Sequence, residues 1–321
     1  MKLEYYPVRL SNDRLVFLVN IATGWGEIAP LQMDSNIYQS IELELQQCRY
    51  ILEPIVNLSL SEIGDCIANM SCNNSVKCGI EQALLHHLAN QQHKALAELL
   101  CCSGQPTRDV EINALVPRVT AAEAEKMTKQ LLDRSFVAIK VKVGSPDIQA
   151  DLDRVQAVRQ TAGKDISLHL DANSAWTAEQ AIRNLELLAE FDISYIEQPV
   201  KTIAELAQIK GKSKIPIAID EAVSCSDDLY KAIEYNCCDI VVIKPMLWGG
   251  LLAAQRGIEI AKQHKLVVVL TGTLEGTIGR WGVYELARAN HIDRACGLTG
   301  YDYLKLSVAD KVIGIPAKLW Q

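Results

Sequence analysis

Val137-Ala138-Ile139-Lys140-Val141-Lys142-Val143 reads as a β-strand with one aliphatic and one cationic face, because successive side chains on a strand point to opposite sides. Short apolar segments of the same kind occur at 110–116, 166–171, 194–197, 216–220, 239–244 and 267–271. The stretches between them, such as 121–134 and 251–264, are long enough to be crossover helices, so the strands run parallel. A polar residue closes each strand in turn: Lys142, Asp171, Glu197, Asp220, Lys244 and Thr271, separated by 29, 26, 23, 24 and 27 residues. An open doubly wound sheet also alternates in this way. Seven or eight regular units without a G-x-G-x-x-G turn favour closure, so an α/β fold is expected, a modified (β/α)8 barrel of the (β/α)7β kind, over 106–302.

The residues before the barrel follow a different pattern. Residues 3–10 and 14–21 form β-like runs parted by the turn trio Ser11-Asn12-Asp13, and Trp25-Gly26-Glu27 extends the meander. Ile41, Leu45, Cys48 and Leu52 then recur at helical steps, and a long helical pattern is expected over 75–100. Strands followed by helices make 1–105 an α+β unit.

The chain has 321 residues and a formal charge of −7, from 39 acidic side chains against 32 Lys plus Arg. Counterion release needs a basic surface, so this balance argues against a nucleic-acid or anionic-membrane partner. With 49% hydrophobic and 22% charged residues, the composition is that of a folded globular protein. The ten cysteines lack C-x-x-C spacing, which argues against a zinc ribbon. Together with the absence of an apolar run of about 18 residues, they fit reduced thiols in the cytoplasm.

In a parallel barrel the loops after the strands build the site, so charges at the strand ends are functional candidates by position. Alternation puts Lys140, Lys142, His169, Asp171, Asp220 and Lys244 inward, with Asn173 just beyond Asp171. Asp171, Glu197 and Asp220 end three consecutive strands about 4.8 Å apart, within reach of one ion. Hard oxygen donors without His or Cys select Mg²⁺, with Mn²⁺ as the alternative. Lys142 and Lys244 bracket the three carboxylates, and the neighbouring Lys140 on the same face lowers the affinity of Lys142 for its proton. Such a site abstracts a proton α to a carboxylate and holds the enediolate, so the expected partner is a small carboxylate substrate. Singly, each residue has a structural reading: K-x-K as a salt-bridged edge, Asp-x-Asn as a helix cap, Glu197-Gln198-Pro199 as a strand end. The order Lys, Asp, Glu, Asp, Lys on successive strands is what singles the set out. His169 reads as a packed interior residue; His86, His87 and His93 read as helix-surface residues.

That ordered set resembles the enolase superfamily, in its muconate-lactonizing-enzyme-like subgroup. The resemblance implies Lys142 and Lys244 as acid–base residues, and Asp171, Glu197 and Asp220 as Mg²⁺ ligands. It also implies that the α+β unit is a cap, joined by the tail 303–321. Within the subgroup, Gly24-Trp25-Gly26-Glu27-Ile28-Ala29-Pro30-Leu31, Leu170-Asp171-Ala172-Asn173-Ser174-Ala175-Trp176 and Val242-Ile243-Lys244-Pro245 are similar to the o-succinylbenzoate synthase family. Supporting or substrate-binding positions are then Lys140, Asn173, Glu221, Trp25, Thr273, Glu275 and Asp302. The single Asp302, where dipeptide epimerases usually have Asp-x-Asp, disfavours a dipeptide. Glu197-Gln198-Pro199 departs from the frequent Glu-Glu-Pro. Racemisation of an N-acylamino acid by the same two lysines stays open, as does a barrel scaffold without catalysis. Oligomeric state is not legible; a monomer is allowed.

Overall fold

The computed structural model describes residues 1–10, 13–31, 35–102, 104–107 and 109–299; Asp302 and the tail 303–321 lie outside them. Strands β1 (Leu3–Arg9), β2 (Leu15–Ile21) and β3 (Gly24–Ile28) form an antiparallel sheet in chain order. Helices α1 (Ser35–Leu52), α2 (Leu60–Ala68), α3 (Asn74–Gln91) and α4 (Leu96–Leu100) follow. The helix expected over 75–100 is therefore two. The chain turns at His93, which takes a left-handed φ of 54°, and the Glu98 carboxylate accepts from the Ala95 N–H to start α4 anew. Helix α2 was not anticipated, although Ser59-Leu60-Ser61-Glu62 carries a full capping box.

Helix α3 is buried along nearly its whole length, 14 of its 18 residues, because it lies between the cap sheet and the barrel helices. Its approach to β3 is very close: a Cβ on Gly24 would stand 1.9 Å from the Ala83 carbonyl oxygen, and one on Gly26 1.9 Å from that of Gly79. The Gly-Trp-Gly text thus serves helix-on-strand contact. His86 and His87 correct the surface reading. Both are buried, with His86 Nδ1 accepting from the Trp25 N–H (3.1 Å) and His87 Nδ1 beside Thr23 Oγ1 (2.8 Å).

The second sheet contains β4 (Ala114–Val116), β5 (Ala138–Lys142), β6 (Ser167–Asp171), β7 (Ile193–Glu197), β8 (Ile217–Ile219), β9 (Ile240–Ile243) and β10 (Val267–Leu270), parallel and in chain order. Between them run α5 (Ala121–Asp133), α6 (Ile148–Ala162), α7 (Ala178–Leu188), α8 (Ile203–Ile209), α9 (Ser226–Glu234), α10 (Pro245–Trp248) and α11 (Leu251–Gln263), with α12 (Thr277–Ala289) after β10. Thr120, Thr177 and Thr202 each open a crossover helix with a Thr-x-x-Glu/Gln capping box, fixing where the strand loop ends.

Residues 296–297 close the ring. The Cys296 N–H donates to the Glu111 carbonyl (2.8 Å) and the Asn113 N–H to that of Cys296 (3.0 Å), on the β4 side. On the β10 side the Gly297 N–H donates to the Leu270 carbonyl (2.9 Å) and the Gly272 N–H to that of Gly297 (3.1 Å). This is a (β/α)7β barrel with an N-terminal α+β cap. Inside the ring, Tyr195, Ala218, Ile240, Val242 and Val269 form an apolar plug; the larger core lies between strands and helices.

Candidate active site

Strand register brings the singled-out residues together. Lys142 pairs with Asp171 across β5 and β6, Asp171 with Glu197 across β6 and β7, and Glu197 with Ala218, two residues before Asp220. Ile139 and Val141 are buried among the helices, so Lys140 and Lys142 face the ring interior.

Lys142 Nζ donates to Asp171 Oδ2 (2.7 Å) and Asn173 Oδ1 (2.6 Å). Lys140 Nζ, one layer deeper, lies 3.0 Å from Glu197 Oε2 and 3.4 Å from Asp171 Oδ2. At the other end of the arc Lys244 Nζ donates to Asp220 Oδ2 (2.5 Å). Asn173 Nδ2 donates to Glu221 Oε1 (2.9 Å), linking the β6 and β8 loops. Among the described residues, each of the three carboxylates is turned toward a lysine, and no three His, Cys, Asp or Glu side chains are grouped as a metal site.

The electrostatics follow from burial. Burial pushes the Glu197 carboxyl up to about 8, helped by the repulsion of Asp171 and Asp220, against which Lys140 and Lys244 act. Asp171 is also buried, which raises its pKa, but Lys140 and Lys142 outweigh that and bring it down to about 2. Burial works against the charge on Lys140 and Lys244, yet the facing carboxylates hold both above the ordinary lysine range. His169 stacks on Tyr195 with ring centroids 4.3 Å apart, and burial together with Lys140 lowers its pKa to about 3, so it is a neutral interior residue.

The remaining singled-out positions lie elsewhere. Trp25 is in the cap sheet, its ring 6.1 Å from that of Tyr6. Thr273 and Glu275 are buried in the β10–α12 loop. Thr273 Oγ1 donates to the cap carbonyl of Ala29 (3.3 Å) and to Glu275 Oε2 (3.1 Å), which leaves Leu274 as the exposed tip. Asp302 lies outside the described residues.

Three groups went unread in the sequence. Asp151 and Arg154 form a buried pair on α6 (2.7 Å); Asp151 accepts from the N–H groups of Gly144 and Ser145, and Arg154 donates to the backbone carbonyls of Lys142 and Val119. Their Asp-x-x-Arg spacing is common on exposed helices and gives no signal. Cap residues Glu27 and Glu81 are likewise buried, accepting from Gly276 and Gly279 N–H at the start of α12 and from Leu252 N–H at the start of α11. Gln198 is fully buried beside Glu197.

Fold and mouth together define a capped (β/α)7β barrel with a lysine–carboxylate arc at its C-terminal face. The chain belongs to the enolase C-terminal domain-like family, whose model matches residues 120–305. It is 34% identical over 210 residues to an o-succinylbenzoate synthase of Thermobifida fusca, an alignment covering 64% of each chain. It is 31% identical over 282 residues to the chloroplastic protein PHYLLO of Arabidopsis thaliana, covering 80% of this chain and 16% of that one. The chain thus spans less than two thirds of either relative's length. A solved dipeptide epimerase from Enterococcus faecalis V583 shares the fold at a TM-score of 0.80 and 24% identity, covering 92% of this chain and 88% of that one.

Proposed function

We propose that this chain is a lyase catalysing the o-succinylbenzoate synthase reaction of menaquinone biosynthesis: 2-succinyl-6-hydroxy-2,4-cyclohexadiene-1-carboxylate loses water to give 2-succinylbenzoate. The observation that carries the proposal is the pair of lysines at opposite ends of one carboxylate arc, Lys142 on Asp171 and Lys244 on Asp220, with Glu197 between them. The similarity to the Thermobifida synthase supports this substrate.

Asp171, Glu197 and Asp220 fit a hard divalent cation. All donors are oxygen and they end adjacent strands, the donor chemistry that hard cations select. Mg²⁺, or Mn²⁺ in its place, supplies Lewis acidity toward the substrate carboxylate when bound. Lys142 removes the proton α to the ring carboxylate; Lys244, across the arc, faces the developing enediolate charge. The C–O bond to the 6-hydroxyl then breaks, and the Lys142 ammonium returns the proton to the departing oxygen, so water leaves and the ring becomes aromatic. Residues 1–105 cap this mouth, and 106–302 form the barrel.

Opposed lysines also suit racemisation of N-acylamino acids, so the test measures both. Purified protein with Mg²⁺ and the cyclohexadiene substrate is expected to form the aromatic product, and Lys142→Ala to lower that rate by about 10²–10⁴-fold. N-succinylamino acids in ²H₂O report α-proton exchange in parallel. Exchange without aromatisation, or full turnover by Lys142→Ala, overturns the proposal.

A further inference from the structure

Gln198 joins the three strand ends that carry the acidic arc. Its φ is 40°, in the left-handed region that residues with a side chain rarely enter, and its side chain is turned away from the mouth into full burial. Side-chain Oε1 accepts from the backbone N–H of Asp220 (2.8 Å) and of Ala222 (3.4 Å), while Nε2 donates to the Val200 carbonyl (2.8 Å). Its own N–H donates to the Ala218 carbonyl (2.9 Å), and its carbonyl accepts from the Ser174 N–H (2.7 Å). Ser174 is the third residue after Asp171. One residue next to Glu197 therefore fixes the backbone at both neighbouring carboxylates.

The amide is suited to this in a way other side chains are not. Asp220 N–H and Ala222 N–H require an acceptor, and the Val200 carbonyl requires a donor; only Gln, among side chains of this length, offers both without charge. A glutamate would keep the acceptor for those two N–H groups but lose the bond to the Val200 carbonyl, and the fourth buried anion it adds beside Asp171, Glu197 and Asp220 is compensated only when a cation is bound.

We propose that Gln198 is a positioning residue for the divalent-cation site, holding Asp220 and the Asp171 turn in register with Glu197. The inference rests on the reading of those three carboxylates as ligands. Outer hydrogen-bond partners of ligands commonly govern affinity by about 10–100-fold.

The test is titration of the full chain with Mn²⁺ alone, free ion being read by electron paramagnetic resonance, alongside thermal melting. The wild-type chain is expected to bind one Mn²⁺. Gln198→Met, of similar length but without acceptor or donor, is expected to bind at least tenfold more weakly. Gln198→Asn, whose carbonyl falls one methylene short of the Asp220 N–H, gives the same weakening and serves where Q198M does not accumulate. Gln198→Glu keeps the acceptor and rescues affinity to the wild-type level or tighter, despite losing the bond to Val200. Leu185→Ala, a core truncation on α7, lowers the melting temperature with Mn²⁺ affinity unchanged, which separates positioning from general destabilisation. Wild-type affinity in both Q198M and Q198N overturns the inference alone. Failure of the wild-type chain to bind Mn²⁺ overturns the ligand reading and the inference with it.

Discussion

Replacing Lys140 by Met tests the electrostatics of the barrel mouth. The Lys140 side chain is only 12% exposed and faces Glu197 and Asp171 carboxylates that are each 2% exposed. Removing one partner of such a buried pair leaves uncompensated charge and typically costs about 3–5 kcal/mol. With an unfolding entropy of about 2.1 cal/mol/K per residue, the chain is expected to melt about 4–7 °C lower. Glu197, already pushed up to about 8 with the ammonium in place, holds its proton more tightly still in the variant, which keeps the loss toward the lower end of that range. A divalent cation offers the same compensation as the lost ammonium. At a concentration a hundredfold above its dissociation constant it returns about 2.7 kcal/mol, or roughly 4 °C. The assay is calorimetric melting of wild type and variant with and without Mg²⁺, and the cation is expected to raise the variant more than the wild type because no ammonium competes for Glu197. An unchanged melting temperature without cation, or equal increments in both proteins, would refute this reasoning.

Glu27 and Glu81 are each pushed up to about 7 by burial, so the folded chain binds their protons more tightly than the unfolded chain does. Their contribution to stability is complete below about pH 4.5 and declines as the pH rises through 7, opposite in sign to Asp171, whose contribution is lost as the pH falls below 3.8 toward 2. Glu27→Gln is expected to flatten the fall in melting temperature between pH 5 and 8, and identical slopes in variant and wild type would count against it. Gly26→Ala forces β3 away from α3 and is expected to cost about 1–3 kcal/mol in urea denaturation; an unaltered midpoint would mean the two backbones are not in close contact.

The barrel was legible because its strands are short Val- and Ile-rich segments at even spacing, each closed by a polar residue; β5 to β10 fall where that pattern put them. The convergence of Lys142, Asp171, Glu197, Asp220 and Lys244 at the strand ends was legible for the same reason, since a strand's period of two fixes which side chains share the interior. The cap was less readable. Helix α3 is buried on nearly all sides, so it has no polar face to set its limits, and its run merged with α4 until the turn at His93. His86 and His87 looked exposed because a helix of that composition usually has a wet side. Gln198, Arg154 and Glu27 act through backbone groups distant in sequence, and such partnerships leave no periodic trace.

Because, among the described residues, Cys296 and Gly297 alone bridge the β4 and β10 sides, the two sides stay unjoined until residue 297 has been made. Synthesis therefore passes through a stage with two sticky, unsealed margins, where interruption favours aggregation over a smaller closed fold.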